Sequence, residues 1–242
     1  MTAALNRLPL LDREQVVRVA LRLLDEAGLD GLTLRRLAAE LDVKAPALYW
    51  HFTNKQDLLD HMAHVMTEPW MRAVAVTTAG QGWEDWLAEV VRTYRALLLS
   101  HRDGARLAAS TRPLPGSLPL LDGCIAAFQQ ATGCGPGQAL QSLTTLIAFV
   151  RGFVLDEEAA RHRVREQPGP RTRQGSKRTV PRGGQPVPHL DAAMHETGSP
   201  NGEGTFEYGL HLILDGIGGT LRRHTTPRND AQATSGIHKA AV

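Results

Sequence analysis

Apolar residues recur every three or four positions along most of this chain, and no stretch convincingly alternates between apolar and polar residues. Spacings of three and four place side chains on one face of an α-helix, whereas alternation is typical of a half-buried strand. The pattern therefore predicts an all-α protein without internal repeats. The predicted helices cover residues 12–27, 33–41, 45–51, 54–66, 83–99, 120–132, 136–160 and 205–223.

The composition argues against several classes of protein. Hydrophobic residues make up 42% of the 242 residues and charged residues 21%, as in soluble globular chains. No apolar run approaches the ~18 residues typical of a membrane-spanning helix, and the N-terminus lacks the apolar region of a secretion signal. The two cysteines, Cys124 and Cys134, form neither a disulfide framework nor a zinc-ligand spacing. We therefore expect a protein of the reducing cytoplasm, with no membrane partner.

Signals for helix ends divide the chain into parts. Asp12, Thr33 and Asn54 are good N-caps at predicted helix starts, and Gly28 suits the left-handed end of the first helix. We expect a flexible arm at 1–11, a three-helix unit at 12–55, a larger helical domain at 56–223 and a disordered tail at 224–242. Within the larger domain, residues 163–204 are rich in Pro, Gly, Arg and Ser, which predicts a flexible loop.

The predicted helices at 33–41 and 45–51, joined by a tight turn at Asp42, form a helix-turn-helix pattern braced by the first helix. Aspartate tolerates the left-handed backbone of such a turn. The N-terminal end of the second helix would reach base edges in the major groove. Lysine, tyrosine and histidine can bind phosphates, alanine and proline can contact thymine methyls, and arginine can bind guanine. The candidate DNA-binding residues are Thr33, Arg35, Lys44, Ala45, Pro46, Ala47, Tyr49, Trp50, His51 and Lys55.

Two of these candidates have a second, structural interpretation. Tyr49 and Trp50 could instead pack between the short helix and the helix at 54–66, because large aromatic side chains often fill such gaps.

Arg35 is the best candidate for a two-hydrogen-bond contact to guanine.

The segment TLRRLAAELDVKAPALYWHFTNKQDLL, residues 33–59, resembles the DNA-binding segment of the tetracycline repressor (TetR) family. Three further segments resemble the ligand-binding core of that family: LLLSHRDGARLAASTRP at 97–113, VRGFVLDEE at 150–158 and FEYGLHLILDGI at 206–217. The likeness covers roughly residues 10–160 and 204–222.

The resemblance implies a ligand-responsive transcriptional repressor. Two subunits would form a homodimer through the helices at 136–160 and 205–223, and each would place its short helix on half of a palindromic operator. A small-molecule effector would enter the core, the helix at 54–66 would swing, and the dimer would leave the double-stranded DNA. An activator on this fold remains an alternative.

The resemblance also implies positions for the effector site. In the tetracycline-binding members this site holds a drug–magnesium chelate, but their metal-ligating histidine falls at Ala108 and their drug-binding asparagine at Val90. One acidic residue, Asp156, is a poor magnesium site, because magnesium needs several hard oxygen ligands. We predict a bulky, largely apolar effector without metal or other cofactor; alternatively, these residues only pack the core. The implied ligand-binding residues are Met71, Val90, Tyr94, Ala108, Thr111, Arg112, Pro113, Cys124, Ala148 and Asp156.

The same comparison changes the expected DNA sequence. The glutamine and threonine with which those members read bases fall at Ala45 and Ala47. The operator should therefore differ from the tetracycline operator, with more methyl contacts and fewer hydrogen bonds at these steps.

Other polar residues have plainer interpretations. His61 and His64 lie one helical turn apart, but no carboxylate or cysteine completes a metal site, so solvated side chains are favoured. His101 is expected to fix the end of a helix rather than to catalyse. The acidic run at 156–158 is expected to be a solvated helix end, with Asp156 as the one inward candidate. The chain has no catalytic Ser/His/Asp elbow, P-loop or GxGxxG motif, which argues against an enzyme.

Basic residues concentrate between 161 and 187, where eight Arg or Lys residues accompany one glutamate. This stretch is either a solvated connection, which its Pro and Gly content favours, or a segment that touches DNA phosphates or gates the pocket. Arg7 in the arm could likewise reach the minor groove. The alternative to a repressor is a small-molecule-binding helical protein, or an enzyme on the same fold, with little DNA-binding role.

Overall fold

The computed structural model describes residues 12–76, 82–166 and 187–225. Within these ranges all regular structure is helical and no strand is present, so the all-α prediction is confirmed. A short 3₁₀ turn at Pro115–Ser117 precedes α7. The helices are α1 (Arg13–Gly31), α2 (Leu34–Glu40), α3 (Ala45–Leu48), α4 (Lys55–Ala75), α5 (Trp83–Leu99), α6 (Gly104–Ala109), α7 (Leu118–Thr132), α8 (Pro136–Glu166), α9 (Pro188–Thr197) and α10 (Glu203–Thr225).

The predicted caps are present at the starts of three helices. The side chains of Asp12, Thr33 and Asn54 accept hydrogen bonds from the backbone N–H three residues later, at 2.6, 3.1 and 2.9 Å. Each bond satisfies one N–H that the first helical turn leaves without a partner. Gly28 has the predicted positive φ, 73°, but the chain resumes one more turn after this kink and α1 ends at Gly31.

The first three helices and the start of α4 pack around buried apolar side chains, which continue into the core of the larger domain. Leu23, Leu24 and Leu37 are fully buried there, and so are Leu48 of α3 and Phe52, four residues further on. Asp42 has φ 52°, as the helix-turn-helix prediction required. The second helix of this motif is shorter than predicted, since α3 ends at Leu48 and residues 49–51 continue as a hydrogen-bonded turn.

Helix α4 connects this unit to the rest of the molecule. It runs through Pro69 to Ala75 and therefore ends nine residues beyond the predicted helix at 54–66. Its N-terminal half packs on α1, and it also packs on α5, α6 and α7.

Helices α5, α8 and α10 form the centre of the larger domain. Phe206 of α10 is fully buried and stacks on Phe149 of α8, with ring centroids 5.4 Å apart. This close packing requires Gly209, because a Cβ there would lie 2.8 Å from the Phe149 ring. Arg95 of α5 lies over the Phe206 ring, 4.3 Å from its centroid.

The predicted flexible loop at 163–204 is partly helical. Helix α8 continues to Glu166, and α9 occupies Pro188–Thr197, before α10 begins at Glu203. Periodicity gave no sign of α9 because this helix buries no residue. Residues 167–186, most of the basic stretch, lie outside the described residues, as do the arm at 1–11 and the tail beyond Thr225.

Helix α8 corrects the expectation that no segment could span a membrane. Pro136–Arg161 is long and apolar enough to cross a membrane, judged by length and composition alone, and its mean hydropathy is 1.3. In the subunit, 22% of this apolar window is buried. A core helix of a soluble protein has the same properties, and α8 packs against α5, α6, α7 and α10. Its outer side exposes Leu140 and Leu155.

Candidate functional site

The short helix α3 packs on the core with one side and is exposed to solvent on the other. Leu48 is 1% exposed and Phe52 2%, so these two side chains anchor the helix in the core of the first unit. Asp57 accepts hydrogen bonds from the backbone and hydroxyl of Thr53, at 2.8 and 3.1 Å, which fixes the connection to α4. The opposite side of α3 is therefore presented to solvent on a rigid base.

The candidate DNA-binding residues all lie at the surface of this unit. Arg35 at the start of α2 and Lys44 before α3 form no ion pair within the described residues, whereas Arg22 pairs with Glu40 at 3.0 Å. Basic groups without internal carboxylate partners are available to phosphates and base edges. Ala45, Ala47 and His51 are half-buried, and the other candidates are exposed: Thr33, Arg35, Lys44, Pro46, Tyr49, Trp50 and Lys55.

Tyr49 and Trp50 point outward. Their exposed fractions are 58% and 87%, so the alternative that they pack against α4 is wrong. A tryptophan exposed to this extent buries almost no apolar surface in the subunit, which makes it available to a partner.

A set of contacts joins the C-terminal end of α1 to the α5–α6 turn. We call this set the interdomain latch, formed by Asp25, Leu29, Asp30 and the segment 101–106. Asp103 accepts a hydrogen bond from the backbone N–H of Leu29 at 2.7 Å. The contact is possible because residue 28 is glycine: a Cβ there would lie 2.6 Å from the Asp103 carboxylate. Sequence reasoning did not identify this latch.

Two ion pairs complete the latch. His101 Nδ1 lies 3.1 Å from the Asp25 carboxylate, so His101 does fix a helix end, across the boundary between the two units. Arg106 donates two hydrogen bonds of 2.8 Å to Asp30, and these bonds lower the pKa of the Asp30 carboxyl. The pairs are exposed and contribute little to stability individually, but they set the orientation of α1 relative to the core.

A small apolar cavity lies between α4, α5 and α8. Its volume is ≈ 10 Å³, which is room for about one water molecule. We call it the central cavity. The lining residues are Trp70, Leu87, Val90, Val91, Tyr94, Leu143, Leu146, Ile147 and Val150.

Few polar groups reach this cavity. The Tyr94 hydroxyl accepts a hydrogen bond from Arg151 Nε at 3.0 Å, and burial raises the pKa of this phenol. Trp70 stacks on Tyr94, with centroids 4.6 Å apart, and donates from Nε1 to the Val90 carbonyl at 3.2 Å. The arrangement provides apolar walls with one polar pair, as many small-molecule sites do.

The implied ligand-binding residues do not all meet. Val90 and Tyr94 line the central cavity, while Met71 and Cys124 contact each other, with Cys124 Sγ 3.5 Å from the Met71 carbonyl. Burial raises the pKa of the Cys124 thiol to about 11. Ala108 is buried and Thr111 half-buried, whereas Arg112, Pro113, Ala148 and Asp156 are exposed in the single chain. Trp70 and Arg151, which sequence reasoning missed, lie 20 and 57 residues from their partners.

The acidic run at 156–158 differs from the expected solvated helix end. Asp156 is exposed, and the inward residue is Glu157, whose side chain is 8% exposed and accepts two 2.9 Å hydrogen bonds from Arg95. Burial raises the pKa of Glu158 to about 7, and the Asp103 carboxylate adds to the rise. This run therefore connects α8 to the core and to the latch.

His61 and His64 are half-buried rather than solvated. His61 Nε2 contacts Arg13 at 3.1 Å, and His64 Nδ1 contacts the Ser117 hydroxyl at 2.9 Å. The described part of the chain holds no group of three His, Cys, Asp or Glu side chains placed to bind a metal.

Comparison with known families matches both parts of the chain. Residues 16–62 match the family described as bacterial regulatory proteins, tetR family, and residues 77–221 match the tetracyclin repressor-like C-terminal domain.

Individual relatives agree with these matches. The chain is 36% identical to tetracycline repressor protein class A from transposon 1721 of Escherichia coli, over 90% of this chain and 94% of that protein. A crystal structure of TetR class A with 5a,6-anhydrotetracycline and magnesium has a TM-score of 0.60 and 34% identity, covering 86% and 99% of the two chains. A crystal structure of BioQ with its natural double-stranded DNA operator has a TM-score of 0.57 and 29% identity, covering 86% and 98%.

Proposed function

Because this chain belongs to the tetR family of bacterial regulatory proteins, we propose that it represses transcription by binding a palindromic operator and leaves the DNA when an effector fills its central cavity. Members of this family are DNA-binding regulators rather than enzymes. The cytoplasm, where the DNA lies, is the expected compartment.

The observation that carries the proposal is the course of α4. This helix begins at Lys55, directly after the reading segment, and its Trp70 forms a wall of the central cavity, roughly 22 Å further along the helix axis. An effector that displaces Trp70 must therefore move the element on which the DNA-reading unit rests. Between these ends α4 contacts α6 and the segment that follows, through Gln56 to the Ser110 carbonyl at 2.9 Å and Asp60 to the Arg112 N–H at 3.2 Å.

A footprint on the upstream intergenic DNA of its own gene tests DNA binding. The parent protein should protect a palindrome, and Arg35→Ala should weaken this protection, because Arg35 is exposed and forms no ion pair with any residue that the structure describes. Arg18→Ala is the matched control, since Arg18 pairs with Glu14 on the same helix, away from α3. Equal protection by both variants, or none by the parent, would reject this reading site.

We propose further that the effector is bulky, largely apolar and bound without magnesium, and that it enlarges the ≈ 10 Å³ central cavity by displacing its walls. Eight of the nine residues that line the central cavity are apolar side chains or tryptophan, and the ninth, Tyr94, has its hydroxyl bonded to Arg151. Ala108 offers no ligand to a metal ion. In a gel shift, tetracycline with magnesium should leave the operator complex intact; magnesium-dependent release would contradict the proposal.

The homodimer is proposed from the outer faces of α8 and α10. Leu140 and Leu155 of α8 are 53% and 37% exposed, and Tyr208 and Leu212 of α10 are 67% and 55% exposed. Pairing these faces would form a four-helix bundle and bury apolar surface that one chain leaves in water.

Sedimentation velocity tests this interface. Leu212→Asp should convert the dimer to monomers, because it places a charge in the apolar contact. Leu190→Asp makes the same change at an equally exposed leucine of α9 and should leave the dimer intact. A Leu212→Asp protein that sediments as the parent does would exclude this face.

A further inference from the structure

A second cavity, separate from the central one, lies at the far end of the core. Its walls come from the start of α5, the α7–α8 turn and the end of α10, and its volume is ≈ 320 Å³. We call it the distal cavity. It lies beside Trp83, the first residue of α5, whereas the latch follows the last residue of that helix, roughly 25 Å away along its axis. No residue of the distal cavity lines the central cavity.

Two side chains of the distal cavity, Gln138 and Arg222, bring hydrogen-bond donors to it. Gln138 Nε2 is buried and has no hydrogen-bond acceptor among the described residues. A buried N–H group without a hydrogen bond destabilises the protein, so a ligand oxygen at this atom would be stabilising. Arg222 brings a guanidinium group to the same cavity, and the described residues that line the cavity include no acidic side chain.

The backbone adds to this polarity. Gln138 lies in the first turn of α8, which begins at Pro136 after Gly135, and Gly135 also lines the cavity. The N–H groups of a first helical turn have no acceptor within the helix, and the helix dipole places partial positive charge there. Three independent features, the amide, the guanidinium and the helix start, therefore favour a negative group in one place.

The remaining walls are flat and apolar. The Trp83 indole packs against Gly218, where a Cβ would lie 3.2 Å from the ring, and Leu221 adds an aliphatic surface. A planar hydrocarbon body fits between these groups, and the volume lies within the usual range of small-molecule sites.

We infer that the distal cavity is a second ligand site and binds a small planar aromatic carboxylate, with the carboxylate at Gln138 and Arg222 and the ring against Trp83. This site is distinct from the effector cavity of the proposed function and does not depend on it.

Titration calorimetry with 2-naphthoate tests the inference on the full-length dimer. We expect saturable binding of one naphthoate per subunit and binding of the neutral 2-naphthamide at least tenfold weaker. Arg222→Gln and Gln138→Leu should each weaken naphthoate binding about tenfold, because each removes one donor to the carboxylate. Arg223→Gln is the matched control: this neighbouring arginine bonds to Thr220 and does not line the cavity.

Cys134 provides an independent report of the location. Cys134 lines the distal cavity and is half-buried, whereas Cys124 is buried with its pKa raised to about 11, so iodoacetamide should label Cys134 selectively. Saturating naphthoate should slow this labelling at least fivefold.

Three results would overturn the inference: no saturable binding up to 5 mM naphthoate, equal affinity in Arg222→Gln and Arg223→Gln, or unchanged Cys134 labelling in the presence of bound naphthoate. The last result would place the ligand elsewhere in the protein. If Gln138→Leu does not fold, the comparison of Arg222→Gln with Arg223→Gln and the Cys134 labelling still test the inference.

Discussion

In the DNA-binding unit the candidate contact residues lie at the surface and take little part in the core. Trp50 is 87% exposed, while buried Leu48 and Phe52 hold α3 in place. In the core, the residues that line the central cavity also fill the interior, and Tyr94 is 2% exposed. A substitution on the DNA-facing surface should therefore change binding without changing folding, whereas a substitution in the core should change both. The four experiments below are ordered by their expected effect on folding stability.

The largest effect is expected at Arg95, in the core. Arg95→Met leaves the buried Glu157 carboxylate without its two 2.9 Å hydrogen bonds and with Arg161 only at 3.8 Å, and should lower the free energy of unfolding by about 3 kcal/mol. Arg92→Met is the control, because Arg92 and Glu207 are more exposed and their pair should be worth about 1 kcal/mol. Urea unfolding of both variants at one protein concentration measures the free energy of unfolding that each variant loses. Equal losses in the two variants would show that burial does not determine the contribution of an ion pair.

A smaller effect is expected at Gly28, in the latch. Gly28→Ala should cost about 3 kcal/mol or slightly less, since φ 73° and ψ 176° suit glycine and the new methyl group would meet Asp103. Gly133→Ala has almost the same φ, 72°, with no atom within 4 Å, and should cost about 1 kcal/mol. Thermal unfolding of the pair separates the latch contact from backbone strain. Similar melting temperatures would mean that the contact adds nothing.

The pH dependence of stability tests Glu158, which joins α8 to the latch. Its pKa in the folded chain is about 7, against an ordinary value of 4.5. Between these values the folded chain holds a proton that the unfolded chain has lost, so this group's contribution to stability falls as pH rises from 4.5 to 7.

Glu158→Gln stays neutral at every pH. Its melting temperature relative to the parent should therefore rise between pH 5 and pH 7.5 and then level off. Asp156→Asn, which makes the same chemical change at an exposed neighbour on α8, is the matched control. A flat difference for Glu158→Gln would mean that its carboxyl titrates normally.

How far the sequence alone predicts the structure differs between the two regions for a physical reason. The caps at Thr33 and Asn54 and the left-handed Asp42 depend on residues within a few positions, and all three are present as predicted. The pairs Tyr94–Arg151 and Arg95–Glu157 join residues 57 and 62 positions apart. No local pattern marks such partners, so an inward Glu157 was mistaken for part of a solvated helix end.

Helix α9 and the latch were not predicted for the same reason, the lack of a local sequence pattern. Helix α9 buries no residue and so has no apolar period to reveal it. The latch depends on Gly28 meeting Asp103, although the sequence does show the glycine and the SHRDG segment that provide the two halves of the contact.

The smallest effect on folding, and the most direct test of the account, is expected from Tyr49→Ala. Tyr49 is 58% exposed and directly follows the C-terminal end of α3, so its removal should change the free energy of unfolding by less than about 0.5 kcal/mol. Fluorescence anisotropy with the footprinted operator, at one salt concentration, should show affinity reduced about tenfold or more. Unchanged affinity in a well-folded Tyr49→Ala protein would contradict the claim that this surface reads the operator.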